Sequence, residues 1–251
     1  LITGIDKRVQ LPKYNSETLR FLTSYLSTKK GEWVIDGSLR MQKRPIGHLI
    51  DALTDIGANI EFLGRKGFPP IKINGNDIKG GYVEIYGNVS SQFISSLLLI
   101  APTLKDGIKI NIKGPIFSLP YIKMTLQVLN KFGIKHKWNE NIIEIPYQEF
   151  KGINYSIEND WSSVSYWYSI AALSSSSEIT INNLKENSYQ GDSIIMKFYK
   201  KLGVSSEFRD NKLIIKKDLH DLIETGLSLS AASKYLAKKN GIKKSEVYKL
   251  I

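Results

Sequence analysis

Two hydrophobic periods alternate along this chain. Leu19, Leu22, Thr23 and Leu26 recur at helical spacing and predict a helix over 16–27. Ile46, Leu49, Ile50, Leu53 and Ile56 do the same behind Pro45, whose fixed φ suits the first turn of a helix. Residues 32–36, 59–63 and 71–73 read as strands, with only a short strand expected around 8–11, so this first block lacks a clear opening strand. After Gly80-Gly81 the pattern predicts strand 82–86, helix 91–101, strand 108–113, helix 120–132, strand 134–138 and strand 142–145. A third block follows as strand 153–157, helix 162–173, strand 178–182, helix 190–202, strand 204–208 and strand 212–216.

The order of elements is the same in the last two blocks, at an offset of about seventy residues. Ser90-Ser91 answers Ser162-Ser163, and Phe132-Gly133-Ile134 answers Leu202-Gly203-Val204. Ile56-Gly57-Ala58 gives the same punctuation one block earlier. Each glycine stands where a helix ends in the left-handed region, which costs a residue without Cβ little. The chain therefore reads as repeated strand–helix–strand–helix–strand–strand units of an α/β fold. Beyond 216 the pattern changes: residues 216–251 carry eight lysines against four acidic residues and predict helical runs 219–225, 230–238 and 245–250. That stretch reads as a small all-helical C-terminal module.

The stretch Val89-Ser90-Ser91-Gln92-Phe93 stands where a helix should begin. There the first backbone N–H groups lack intrahelical partners and the dipole adds partial positive charge, so two hydroxyls, a carboxamide and free amides can converge on an anion. The same residues also suit an ordinary N-cap serine with a polar neighbour. A net charge of +11 and a pI of about 9.5 fit acidic partners, either nucleic acid or phosphorylated and carboxylated small molecules, and equally a lysine-rich solvated surface. Without cysteine there is no disulfide, thiolate ligand or Cys nucleophile, and His48, His136 and His220 show no metal-ligand spacing. No metal and no cofactor are expected. No apolar run is long enough to span a membrane and no secretory signal pattern opens the chain, so a cytoplasmic protein without membrane contact is expected.

Several motifs together resemble one family. Arg40-Met41-Gln42-Lys43-Arg44-Pro45-Ile46-Gly47, Val89-Ser90-Ser91-Gln92-Phe93, Ser118-Leu119-Pro120-Tyr121-Ile122, Asp160-Trp161-Ser162-Ser163 and Ser188-Tyr189-Gln190-Gly191-Asp192 are similar, in order and spacing, to those of 5-enolpyruvylshikimate-3-phosphate synthases. The resemblance covers roughly residues 15–216. The enolpyruvyl transferase of peptidoglycan synthesis shares the fold, but its usual reactive Cys is absent here.

The resemblance implies an inside-out α/β barrel in two halves, each of three strand–helix units. Units one and two, residues 1–157, would belong to one half and residues 158–216 would open the other, with a crossing near 156–160 and a basic helical tail over 217–251. It further implies an alkyl-group transferase of chorismate and aromatic amino-acid biosynthesis, moving the enolpyruvyl group of phosphoenolpyruvate to the 5-hydroxyl of shikimate 3-phosphate. Ser90 and Ser91 would hold the shikimate phosphate and Gln92 would reach across both substrates. Ser118 and Tyr121 would complete the shikimate side, and Arg44 would pair with phosphoenolpyruvate. A monomer is expected.

Departures from the pattern qualify the activity. A Gly-Ser-Lys-Ser-like stretch of the family has no counterpart before Ser16, and the family loop Asn-Ala-Gly-Thr stands here as Asn15-Ser16-Glu17-Thr18. Glu17 would set a carboxylate beside phosphoenolpyruvate, an unfavourable pairing of like charges. The family's catalytic Asp, Lys and Arg of the remaining units fall outside this chain, so the polypeptide is expected to be partial and inactive alone. The tail resembles the C-terminal helical module of a ribosomal-RNA 2′-O-methyltransferase of the small subunit, without a methyltransferase domain before it. The alternative reading is a non-catalytic anion- or RNA-binding protein, with weak RNA contact made through the tail.

Overall fold

The computed structural model describes residues 7–10, 16–174, 176–217, 228–240, 243 and 245, and the side chains of most of them. The packing divides the chain into two compact units, Leu1–Ile153 and Asn154–Ile251.

The first unit contains two sheets of one design. In one, β1 (Lys7–Gln10) pairs parallel with β2 (Gly31–Asp36), which pairs antiparallel with β4 (Ile71–Gly75), itself antiparallel to β3 (Asn59–Phe62). In the other, β5 (Gly81–Tyr86), β6 (Ile108–Lys113), β8 (Ile142–Ile145) and β7 (Lys137–Asn139) repeat that order and those directions. The crossovers carry helices α1 (Ser16–Ser27), α2 (Gly47–Asp55), α3 (Ser91–Ile100) and α4 (Leu119–Lys131). The first block thus has an opening strand after all: β1 lies in register with β2, Lys7 opposite Trp33.

α3 lies inside the unit. α3 buries Phe93, Ile94, Leu97, Leu98 and Ile100, together with Ser91, Ser95 and Ser96, whereas β5 and β6 alternate buried and more exposed residues and turn one face outward. A helix apolar on so many sides must be enclosed. Two of its serines are satisfied inside: Ser96 donates to the Phe93 carbonyl at 2.9 Å and Ser95 accepts from Thr125 of α4 at 2.8 Å.

Glycine closes two of these helices in the way the pattern predicts. After α4, Gly133 (φ +85°) donates to Asn130 O at 3.0 Å and Ile134 to Leu129 O at 3.0 Å. After α2, Gly57 (φ +100°) donates to Thr54 O and Ala58 to Leu53 O. These are paired C-terminal closures with the left-handed residue just past the cap. They also explain a correction. The strand expected over 134–138 is only Lys137–Asn139, because Ile134 is committed to closing the helix.

The second unit repeats the antiparallel part of the sheet: β9 (Ser177–Asn182) pairs with β11 (Lys212–Lys217), which pairs with β10 (Val204–Arg209). α5 (Trp161–Leu173) and α6 (Ile195–Lys200) pack on it, with Trp161, Tyr168, Leu213 and Ile215 fully buried. The strand expected over 153–157 is not formed. Ile157 is 78% exposed, so no buried face rewards the alternation, and the segment is instead tied by Asn183 Nδ2 to Ile157 O at 2.8 Å. The helix expected over 190–202 is shorter and opens with a 3-10 turn, Gly191–Ile194, in which glycine has low helix propensity. In the tail, α7 (Leu229–Asn240) falls on the run predicted over 230–238; the run at 219–225 and nearly all of 245–250 lie outside the described residues. Among the described residues no helix is long and apolar enough to cross a membrane.

Candidate functional site

Parallel pairing of β5 with β6 sets Tyr86 opposite Lys113, so the chain leaves both strands at the same end and starts α3 and α4 there. Two backbone bonds stitch the turns together: Gly87 N to Lys113 O at 2.9 Å and Phe117 N to Gly87 O at 3.0 Å. A Cβ on Gly87 would stand 2.8 Å from Pro115 O and 3.0 Å from Ile116 Cα, so the close approach requires glycine.

Ser90 is the N-cap of α3, extended at φ −164° and ψ 124°, its Oγ accepting from Gln92 N at 3.3 Å. Ser91 follows in the first turn, 9% exposed. The Gln92 carboxamide accepts through Oε1 from Arg20 Nη1 of α1, and the Arg20 guanidinium lies 5.2 Å over the Phe93 ring. At the neighbouring turn, Ser118 caps α4 in the left-handed region (φ 57°, ψ 34°) and makes no capping bond with its hydroxyl. A residue with a Cβ held there is uncommon, and such residues gather at functional sites. Tyr121 N donates to Ser118 O at 3.1 Å and the Tyr121 side chain is 42% exposed. Two helix N-termini, three serine hydroxyls, the Tyr121 phenol, a carboxamide and a guanidinium thus belong to these neighbouring turns. That combination suits an anion with several oxygens.

Arg44 belongs to the connection after β2, the counterpart in the first block of the connection that carries Ser118. It is exposed, and its N–H closes a 3-10 turn on Met41 O at 2.9 Å. The Asp36 carboxylate pins this loop, accepting from Gly37 N at 2.7 Å and Gln42 Nε2 at 3.0 Å. No hydrogen bond or ion pair among the described residues joins Arg44 to the serine turn. Asn15 and the Glu17 side chain lie outside the described residues.

The second unit fills its own version of the serine turn. Asp160 caps α5, accepting from Ser162 N at 3.1 Å, Ser162 Oγ at 2.6 Å, Ser163 N at 3.2 Å and Ser163 Oγ at 2.8 Å. The Ser162 hydroxyl, then that of Ser163 and both N–H groups, hold the Asp160 carboxyl below its ordinary pKa. The two motifs quoted from this region also meet: Gln190 Oε1 accepts from Trp161 N at 2.9 Å, and Ser188 Oγ donates at 2.7 Å to Glu158, which also accepts from Trp161 Nε1 at 2.8 Å.

The family model described as EPSP synthase (3-phosphoshikimate 1-carboxyvinyltransferase) matches residues 13–233. This chain belongs to the EPSP synthase family. It is similar to the 3-phosphoshikimate 1-carboxyvinyltransferase of Bacteroides fragilis (strain ATCC 25285), 43% identical over 201 residues that make up 80% of this chain and 49% of that protein. The protein of the same name from Vibrio atlanticus is 37% identical over 229 residues, 85% of this chain and 52% of its own. The chain spans about half the length of the curated relatives it matches. An EPSP synthase structure from Acinetobacter baumannii has the same fold, with a TM-score of 0.63 at 22% identity over 84% of this chain and 48% of that one.

Two residues at these EPSP synthase motifs escaped the sequence reading. No local pattern marks Arg20, because its contact with Gln92 joins residues 72 apart in the chain. Asp160 stands two and three places before Ser162 and Ser163, the spacing at which an N-cap carboxylate accepts from the N2 and N3 amides.

Proposed function

We propose that this chain forms part of an enolpyruvyl transferase, and that its first unit supplies a shikimate 3-phosphate-binding face. Ser90 and Ser91 take the phosphate oxygens. Gln92 reaches toward both substrates, Ser118 and Tyr121 bind the shikimate ring, and Arg44 pairs with phosphoenolpyruvate. The reading is carried by the pair of adjacent helix starts, one with a capping Ser90 and the other with a left-handed Ser118.

Both substrates are polyanions, so the site's task is to position and neutralise them while phosphate leaves through a tetrahedral intermediate. Hydroxyls and amides at helix starts do this without a nucleophile. The 251-residue polypeptide spans about half of its relatives, and alone it binds substrate without turning over. Calorimetric titration with shikimate 3-phosphate tests the reading, with unphosphorylated shikimate as the comparison. Binding of the phosphate ester alone, weakened by added salt, is expected. Equal binding of both, or of neither, would overturn it, and salt-sensitive RNA binding in its place would favour the non-catalytic alternative.

A further inference from the structure

We propose that Arg20 is a positioning residue that fixes the orientation of the Gln92 carboxamide for an incoming phosphate. This rests on the substrate reading above. Arg20 comes from α1, in the block before the one that carries Gln92, yet its Nη1 donates to Gln92 Oε1. The reach is no accident of a mobile surface side chain. α1 and α3 pack together, and one turn further along Ser24 Oγ donates to Ser96 Oγ at 3.0 Å inside the core. The guanidinium is braced 5.2 Å over the ring of Phe93, itself 3% exposed.

A carboxamide at a helix start can turn either end to a ligand. Oε1 facing a phosphate would repel it, whereas Nε2 facing it would donate. Arg20 on Oε1 commits that oxygen and so disfavours the unproductive rotamer. Its fixed positive charge also adds to that of the α3 N-terminus. Lysine would carry the charge without the planar fork or the stacking face.

The test combines a double-mutant cycle with a spectroscopic readout on the 251-residue chain. Shikimate 3-phosphate affinity is measured for the wild type, Arg20→Ala, Gln92→Ala, the double variant and Arg20→Lys. Arg20→Ala should weaken binding about tenfold in the wild type and less than about threefold beside Gln92→Ala, because residues acting as a unit are non-additive. Arg20→Lys, which keeps the charge but not the fork, should recover less than half of the loss seen in Arg20→Ala. The side-chain amide resonances of Gln92 in the ligand-free chain should move in both Arg20 variants and stay in place in Arg65→Ala, where the lost guanidinium packs on Phe68 instead. Additive losses, or a fully active-binding Arg20→Lys, would show that Arg20 acts by charge alone and overturn the proposal. Unmoved Gln92 resonances would overturn it as well. A wild type that binds nothing would refute the substrate reading, and the resonances would still decide whether Arg20 holds Gln92.

Discussion

Ser24 of α1 and Ser96 of α3, 72 residues apart in the chain, share a hydrogen bond of 3.0 Å. Both are buried, and the Ser96 hydroxyl donates its own hydrogen bond to the Phe93 carbonyl at 2.9 Å. The bond therefore has a direction. Ser96→Ala leaves the Ser24 hydroxyl without this acceptor and should cost about 1–3 kcal/mol, the penalty for a stranded buried donor. Ser24→Ala leaves Ser96 still donating and should cost about 0.5–1.5 kcal/mol. Urea unfolding of the two variants measures the difference; equal costs would mean the bond is not directional.

Gly87→Ala should impair the site more than the fold. The added methyl would press on Pro115 O at 2.8 Å and Ile116 Cα at 3.0 Å, forcing the Ser90 and Ser118 turns apart. Shikimate 3-phosphate affinity should fall by more than tenfold while the far-ultraviolet circular dichroism is retained. Unchanged affinity would separate these two turns functionally.

Removing both serine hydroxyls should weaken shikimate 3-phosphate binding by about 1.5–3 kcal/mol for each bond lost to the charged group. Ser90→Ala carries an extra effect, because it also uncaps α3. Ser91→Ala is thus the cleaner probe of phosphate contact, and titration curves identical to wild type would remove Ser91 from the site.

Asp160 gives the second unit an acid-sensitive cap. Its folded pKa is depressed, so its contribution to stability is present above the unfolded carboxylate value near pH ~4 and is lost as the pH falls through the lower folded value. Asp160→Asn should melt below wild type at neutral pH, with the gap closing as the pH drops below about 4. A gap that persists in acid would assign the stabilisation to the geometry of the cap and not to its charge.

Much of this fold is legible in the sequence because its signals are local. Gly57 and Gly133 end helices where the pattern places them, and β5, β6, β8 and the run of α3 follow directly from hydrophobic period. What the sequence misreads depends on distant partners. The short strand expected around 8–11 forms as β1 on the parallel edge of β2, whereas residues 153–157, expected as a strand, stay irregular. Ser90, Ser91, Gln92, Ser118 and Tyr121 are brought to adjacent turns by the parallel pairing of β5 and β6. Arg20 lies beyond any local pattern, since its contact with Gln92 is created by packing one repeat against the next.

The two serine turns also provide the most direct test of the whole account. One is filled by the Asp160 carboxylate, and the other begins at the capping Ser90 with no acidic residue beside it in the chain. Amide chemical shifts of the isotope-labelled 251-residue chain, followed during titration with shikimate 3-phosphate, distinguish them residue by residue. The account predicts saturable shifts at Ser90, Ser91, Gln92 and Ser118, with Ser162 and Ser163 unmoved. Shifts confined to Ser162 and Ser163, or none at Ser90 and Ser91 at saturating ligand, would contradict it.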